Sequence, residues 1–169
     1  MANQINTGKT SRNVVPTLFK LVKNRFGWNK KDKILDYGAG KFKKMEEALM
    51  AEGVEYYCRY DKYNKKENPD SLKSLLRIDF DIVLLSNVLN TIPTLDEQIT
   101  CVSNANMMLG KRGTVYATVY EGDKQGKYEI TRDGFQHNLP TSSYIPLFEK
   151  HGIRWKSVER YGKLIVVEK

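Results

Sequence analysis

Histidine, cysteine and tryptophan each occur only twice in this chain of 169 residues, and proline only five times. Cys58 and Cys101 have no cysteine or histidine near them at metal-ligating spacing, so a zinc site and a disulfide-stapled scaffold are both disfavoured. No apolar run approaches the ~20 residues that span a bilayer. The polar opening Met1-Ala2-Asn3-Gln4-Ile5-Asn6 lacks the apolar core of a secretory signal. Repeats and low-complexity segments are absent too. Together these absences point to a reducing, cytoplasmic setting and away from a membrane.

What the chain does have is a basic end. Residues 1–35 carry eight basic groups (Lys9, Arg12, Lys20, Lys23, Arg25, Lys30, Lys31, Lys33) against one acid, Asp32. Of the total charge of +8, that segment holds +7, and the other 134 residues hold +1. Such asymmetry suits an anionic partner, and nucleic acid is the expected one. We divide the chain into a basic N-terminal arm and helix over residues 1–32 and one compact unit over residues 33–169.

Apolar spacing predicts the elements. Val14, Val15, Leu18, Leu21, Val22 and Phe26 recur at three- and four-residue intervals, marking an amphipathic helix over 11–26 whose regular part starts near Val15, because Pro16 suits a first helical turn. Strands are expected at Lys33–Tyr37 and Val54–Tyr60, with a helix over Lys41–Ala51 between them and Gly53 closing it. Residues 62–70 read as a loop, and Ser71–Leu76 as a short helix. Asp81–Ser86 is a continuous apolar run of the kind buried on both faces of a parallel sheet. Thr94 and Glu97 form a capping-box pair opening a helix with Leu95, Ile99, Val102, Met108 and Leu109 inward and Gly110 at its end. A strand follows at Gly113–Tyr120. Glu121–Pro140 reads as a long polar loop, Ser142–His151 as a helix, and Ile153–Tyr161 with Lys163–Glu168 as a hairpin. Alternating strands and helices give an α/β fold: a Rossmann-like doubly wound sheet, mostly parallel, with an antiparallel C-terminal hairpin strand.

The chemistry concentrates where strands end. Ile34-Leu35-Asp36-Tyr37-Gly38-Ala39-Gly40 closes the first strand with an acid and a Gly-X-Gly turn, and Asp61 ends the second. Glycines let the backbone approach a ligand, and an acid at the next strand end can accept from ribose hydroxyls. The dinucleotide fingerprint Gly-X-Gly-X-X-Gly is broken by Lys43. Asp36, Gly38, Gly40 and Asp61 instead resemble motif I and the ribose acid of the class I S-adenosylmethionine-dependent methyltransferases, with Phe42 where many members have a third glycine. Phe80-Asp81-Ile82-Val83-Leu84-Leu85-Ser86-Asn87-Val88-Leu89-Asn90 is similar to the motif IV region of the same superfamily.

The resemblance covers residues 33–169 and implies a seven-stranded type of sheet, an S-adenosyl-L-methionine cofactor and methyl transfer. It implies a cofactor set of Asp36, Gly38, Gly40, Asp61, Tyr63, Ser86, Asn87 and Val88, with Tyr63 near the adenine. Asn87 and Asn90 can contact cofactor or acceptor, while His137 and Glu121 are candidate bases. Lys41, Lys43 and Lys44 either bind a carboxylate or phosphate or are simply solvated. Ser86-Asn87-Val88-Leu89-Asn90-Thr91-Ile92, Thr131-Arg132-Asp133-Gly134-Phe135-Gln136 and Tyr144 are also similar to small methyltransferase-like proteins associated with bacterial DNA modification. Neither the Asp/Asn-Pro-Pro-Tyr/Phe segment of amino-methylating DNA enzymes nor a Pro-Cys pair is present. Two alternatives stay open: a non-catalytic domain of this fold that binds nucleic acid or a protein, and an enzyme using the cofactor for lysis or another group transfer.

Overall fold

The run Ile34-Leu35 and the run Ile82-Val83-Leu84-Leu85 have 0–7% of their surface exposed, because each lies inside a sheet covered on both faces. They belong to β1 (Lys33–Tyr37) and β3 (Phe80–Ser86) of a computed structural model that describes residues 11–131 and 134–169. With β2 (Tyr56–Tyr60), β4 (Leu109–Thr118), β7 (Ser157–Tyr161) and β8 (Leu164–Glu168) they form one six-stranded sheet in the order β2-β1-β3-β4-β8-β7. β1 pairs in parallel with β2 and β3, and β3 with β4; β8 runs antiparallel to both β4 and β7. The doubly wound α/β class is therefore as expected. The strand count is not: among the described residues the sheet has six strands, not seven, with β2 and β7 at its edges.

Helices cover both faces. α1 (Thr17–Arg25) and α2 (Lys44–Ala51) bury Leu18, Phe19, Val22, Met45 and Leu49 against Ile34, Ile82, Leu84 and Tyr116. The basic segment thus ends in a helix packed into the body. On the other face α3 (Leu72–Leu75), α4 (Leu95–Met108) and α5 (Pro146–Glu149) enclose Leu35, Val83, Leu85, Val115 and Ile165. Cys101 packs in this layer, and burial pushes its thiol up to about 12, leaving it inert.

Several expectations shift. α1 starts at Thr17, two residues after the expected start near Val15, since Pro16 is extended and stands just before the first turn. α2 starts at Lys44, after a bent 41–43. Thr94 caps α4 by accepting from the Glu97 N–H at 3.3 Å, but the Glu97 carboxylate takes the Thr94 hydroxyl at 2.9 Å. α4 stops at Met108, before Gly110, and the chain passes straight into β4. The Lys169 ammonium reaches back to donate to the carbonyls of Asn106 and Leu109 at 2.6 and 2.8 Å, closing that helix end. Leu95 is 55% exposed instead of inward-facing.

The Glu121–Pro140 stretch is not a plain loop. It contains an antiparallel hairpin, β5 (Tyr128–Thr131) with β6 (Gly134–His137). Residues 1–10 and the Arg132-Asp133 pair of the quoted similarity lie outside the described residues. The helix expected over 142–151 breaks into a 3-10 turn, Thr141–Tyr144, and α5. Pro146 has no N–H to continue the ladder, so the helix restarts there.

Candidate functional site

The carboxyl ends of β1, β2, β3 and β4 meet at one edge of the sheet, where open α/β sheets bind ligands. Gly38 and Gly40 adopt φ of 87° and 65°, conformations that glycine holds without penalty. The N–H groups of Gly38 and Ala39 both donate to the Tyr60 carbonyl at 2.7 and 3.0 Å, clamping the turn to the end of β2. A Cβ at Gly38 would meet Val88 Cγ2 at 2.5 Å, so Val88 packs directly on the turn.

Asp61 is buried and heavily used by its own loop. Its Oδ2 accepts from the Gly40 N–H at 2.8 Å. Its Oδ1 accepts from the Tyr63 and Asn64 N–H groups, both at 2.8 Å, and from Asn64 Nδ2 at 3.1 Å. A carboxylate offers about four acceptor sites, and three donors saturate Oδ1. Capacity for one further donor remains, on Oδ2. Asp61 thus stands at the strand end where the resemblance places the ribose acid, with most of its lone pairs taken by its own loop. Tyr63 contributes its N–H to this arrangement, and its ring lies 5.5 Å from the Lys62 ammonium.

Asp36 faces the protein, beneath the turn. It accepts from the Tyr57 hydroxyl at 2.7 Å on the neighbouring strand, and burial raises its pKa to about 6. Arg59, opposite Asp36 in the strand register, donates to the carbonyls of Gly40 and Phe42 at 3.3 and 3.0 Å. Asn68 Nδ2 donates to the Gly40 carbonyl at 2.8 Å and to that of Asn64 at the same distance. Arg59 and Asn68 thus hold the glycine turn and the loop after β2 as one unit. The sequence reading missed both. A buried arginine inside a strand was the available signal for Arg59.

The N-terminal segment crosses this turn. A Cβ at Gly40 would meet the Ser11 side chain, and the Ser11 hydroxyl accepts from the Lys41 N–H at 3.3 Å. Next to it, the Arg12 guanidinium lies 5.8 Å from the Tyr120 ring centroid, just beyond the end of β4. Residues 11 and 12 therefore span from the glycine turn to the far strand. Of the nearby lysines, Lys44 pairs with Glu47 at 2.7 Å and Lys41 lies over the Phe42 ring at 5.0 Å.

At the ends of β3 and β4, Ser86 is paired with Thr118, and the Asn87 N–H donates to the Thr118 carbonyl at 2.9 Å. Asn87 has φ of 56°, a left-handed conformation that a non-glycine residue rarely takes and that clusters at functional sites. Asn90, in the 3-10 turn Leu89–Thr91, is 1% exposed, and Thr118 is 4% exposed. Asn90 Oδ1 and Thr118 Oγ1 have no hydrogen-bond partner among the described residues, and neither has Asn138 Oδ1. Buried polar atoms are nearly always satisfied, which makes these three candidates for pairing with a bound group. Thr118 and Asn138 were not foreseen, since a threonine in a strand and an asparagine in a loop carry no signal of their own.

Glu121 is a structural acid. Its Oε1 accepts from the Thr141 N–H and hydroxyl, both at 2.9 Å, and Lys124 and Lys163 lie 3.4 and 3.5 Å from Oε2. Chiefly through the Thr141 N–H, its pKa falls to about 2. A carboxylate held so acidic is no base at neutral pH; it fastens the segment after the hairpin to the end of β4. His137 lies elsewhere, on a cavity beside α4 and α5, and its carbonyl accepts from the Tyr144 hydroxyl at 3.0 Å.

This fold recurs among solved structures. PigF with S-adenosylhomocysteine (SAH) superposes with a TM-score of 0.63 at 17% identity, over 96% of this chain and 56% of that one. A Burkholderia thailandensis 1,6-didemethyltoxoflavin-N1-methyltransferase, with 1,6-didemethyltoxoflavin and S-adenosylhomocysteine bound, gives 0.59 at 16% identity, over 89% and 74%. A SAM-dependent methyltransferase from Methanosarcina mazei gives 0.57 at 15% identity, over 88% and 96%. No protein-family model and no curated sequence matches the chain. The class is thus defined by architecture: the chain has the Rossmann-like fold seen in S-adenosylmethionine-dependent methyltransferases.

Proposed function

We propose that the chain is an S-adenosylmethionine-dependent methyltransferase acting on a small molecule. The observation that carries this is the joining of the Gly38–Gly40 turn to Asp61 across the carboxyl ends of β1 and β2, with one acceptor site of Asp61 still open. These residues fit an adenosyl cofactor: two left-handed glycines expose backbone, and the Asp61 carboxyl group stands beside them. When bound, the cofactor supplies an electrophilic methyl carbon on a sulfonium, whose leaving thioether is neutral. The protein's work is then orientation and exclusion of water, for which no strong base is required. Asn90 Oδ1 and Thr118 Oγ1 suit that work, accepting from an N–H or O–H of the acceptor and fixing its direction. Ser11 must withdraw from Gly40 to expose the whole turn.

A small-molecule acceptor accords with the solved neighbours, among them a mitomycin 7-O-methyltransferase and an amino pentose methyltransferase. Nucleic acid is the second reading, favoured by the basic N-terminal segment. Its charge is partly spent within the molecule: Lys23 pairs with Glu52 at 2.5 Å, Lys31 with Glu55 at 2.8 Å, and Arg25 stacks 3.6 Å from the centroid of Tyr161. A non-catalytic role is the third, favoured by Ser11 and Val88 lying against the glycines.

Incubation with methyl-labelled cofactor, a small-molecule extract, DNA and RNA separates the three. Label in the small-molecule fraction with release of S-adenosylhomocysteine is expected. Label in nucleic acid would move the acceptor to the second reading, and cofactor binding without any transfer would favour the third. Methylthioadenosine as product would contradict methyl transfer.

A further inference from the structure

Three buried oxygens at the carboxyl edge of the sheet have no donor among the described residues: Asn90 Oδ1, Thr118 Oγ1 and Asn138 Oδ1. Their residues are 1%, 4% and 4% exposed, beyond the reach of bulk water. An acceptor buried and left empty costs about 1–3 kcal/mol. Three of them in one corner form a set that a ligand with several donors can satisfy.

Separate elements bring these residues to that corner. Asn90 sits in the turn after β3, and Thr118 ends β4 in register with Ser86, the last residue of β3. Asn138 follows β6, and β6 lies against the Leu89–Thr91 turn. The Asn138 carboxamide also rests on Gly122, just past the end of β4, where an added Cβ would collide with it. The β5–β6 hairpin is thus pinned both to the Asn90 turn and to the chain leaving β4. Val88, in the segment between Ser86 and Asn90, packs on Gly38, so the corner adjoins the glycine turn. Glu121 is outside the set, because Thr141, Lys124 and Lys163 engage it.

The chemistry of the set selects its ligand. Carboxamide oxygens only accept, and a threonine hydroxyl accepts as readily as it donates. An alcohol brings one hydrogen to three acceptors, whereas a primary ammonium brings three. A carboxylate in this place would hold the nitrogen in its charged form; neutral oxygens do so less, and one proton passes to water more readily. We propose that Asn90, Thr118 and Asn138 form the acceptor pocket for a primary amine, an inference that rests on the methyltransferase reading and deepens it. The nitrogen lone pair, freed by loss of that proton, forms the N–C bond. The C–S bond breaks with its electron pair on sulfur, and the product leaves as the methylated ammonium.

The test uses the full chain, labelled with nitrogen-15, and n-butylamine and n-butanol as matched probes. The side-chain amide signals of Asn90 and Asn138 are identified by their loss in Asn90→Leu and Asn138→Leu. Both are expected to move with butylamine on one saturation curve, half-complete below about 10 mM, and to respond at least about tenfold more weakly to butanol. Asn90→Leu and Thr118→Val delete an acceptor at nearly constant shape. Each should weaken the amine at least about tenfold, read at Asn138, yet melt no lower than the wild type, since no protein partner is lost. An equal response to butanol, signals that move apart or not at all, or lower melting in both variants, as lost structural bonds would give, would overturn the pocket. In a second arm, the chain receives trideuteromethyl-labelled S-adenosylmethionine and a small-molecule extract, and label on nitrogen is expected. Label on oxygen, carbon or sulfur would overturn the amine and leave methyl transfer standing. Absence of any labelled product would overturn methyl transfer, and the amide signals then decide the pocket alone.

Discussion

Asp36 and Glu121 are both buried carboxylates near the carboxyl edge of the sheet, and they depart from ordinary acidity in opposite directions. Asp36 is raised to about 6, mainly by burial, with the Tyr57 hydroxyl opposing. The folded chain therefore keeps this proton up to about pH 6, whereas the unfolded chain loses it near 3.8. Stability from this group is full below that lower value and is lost as pH rises through about 6. Asp36→Asn, which still accepts from Tyr57, should be more stable than the wild type above pH 6, by on the order of 3 kcal/mol. Urea unfolding at pH 4.5 and 8 checks this; an equal difference at both would reject it. Glu121 has the reverse sign, since its pKa is lowered to about 2 from 4.5. Its contribution is complete above the unfolded value and disappears as pH falls through about 2. The melting-temperature gap between wild type and Glu121→Gln should stay level above pH 5 and close toward pH 2. Activity at neutral pH should be largely kept in Glu121→Gln, with the acid limb of the pH–rate profile unchanged; were the group the base, the variant would lose both activity and that limb.

At the scale of elements, legibility followed hydrophobic pattern. β1 was readable residue for residue and β3 nearly so, because a buried parallel strand is an unbroken apolar run. The β5–β6 hairpin was missed because its strands sit in a polar, glycine-bearing stretch with no alternation strong enough to mark them. The end of α4 was readable to within one residue, but the Lys169 contact that closes it, 60 residues on, was not. Contacts of that separation leave no local trace. The Ser11–Arg12 crossing is of the same kind, and it yields an expectation. A chain lacking residues 1–13 should associate with S-adenosylhomocysteine faster in stopped-flow fluorescence, since Ser11 no longer covers Gly40. Slower association would mean that the segment helps to form the site. Gly40→Ala should lose binding altogether, because φ of 65° and the Ser11 contact both resist a Cβ.

For the whole molecule, the order of strands and motifs in the sequence was enough to bring the candidate residues of the glycine turn, Asp61 and residues 86–90 together at the carboxyl edge of one sheet. What it did not show was how far the candidate residues serve the protein itself. Asp36 lies under the turn, Asp61 spends most of its lone pairs on its own loop, and Glu121 is locked to Thr141. A residue type at a motif position announces a role; only the folded neighbours show how much of its bonding capacity is left. The basic segment teaches the same point, since a summed charge of +7 takes no account of Glu52 and Glu55 lying opposite. Asp61 is where these considerations meet. In Asp61→Asn the amide nitrogen must face either the Gly40 N–H or the three donors around Oδ1, leaving at least one donor unpaired at about 1–3 kcal/mol. The decisive measurement is isothermal calorimetry of S-adenosylhomocysteine binding to the wild type and to Asp61→Asn, with both folds confirmed by circular dichroism. One site per chain, weakened at least about tenfold in the variant, is expected. No binding by the folded wild type at millimolar ligand, or equal affinity in the two proteins, would contradict a cofactor site built on the Gly38–Gly40 turn and Asp61.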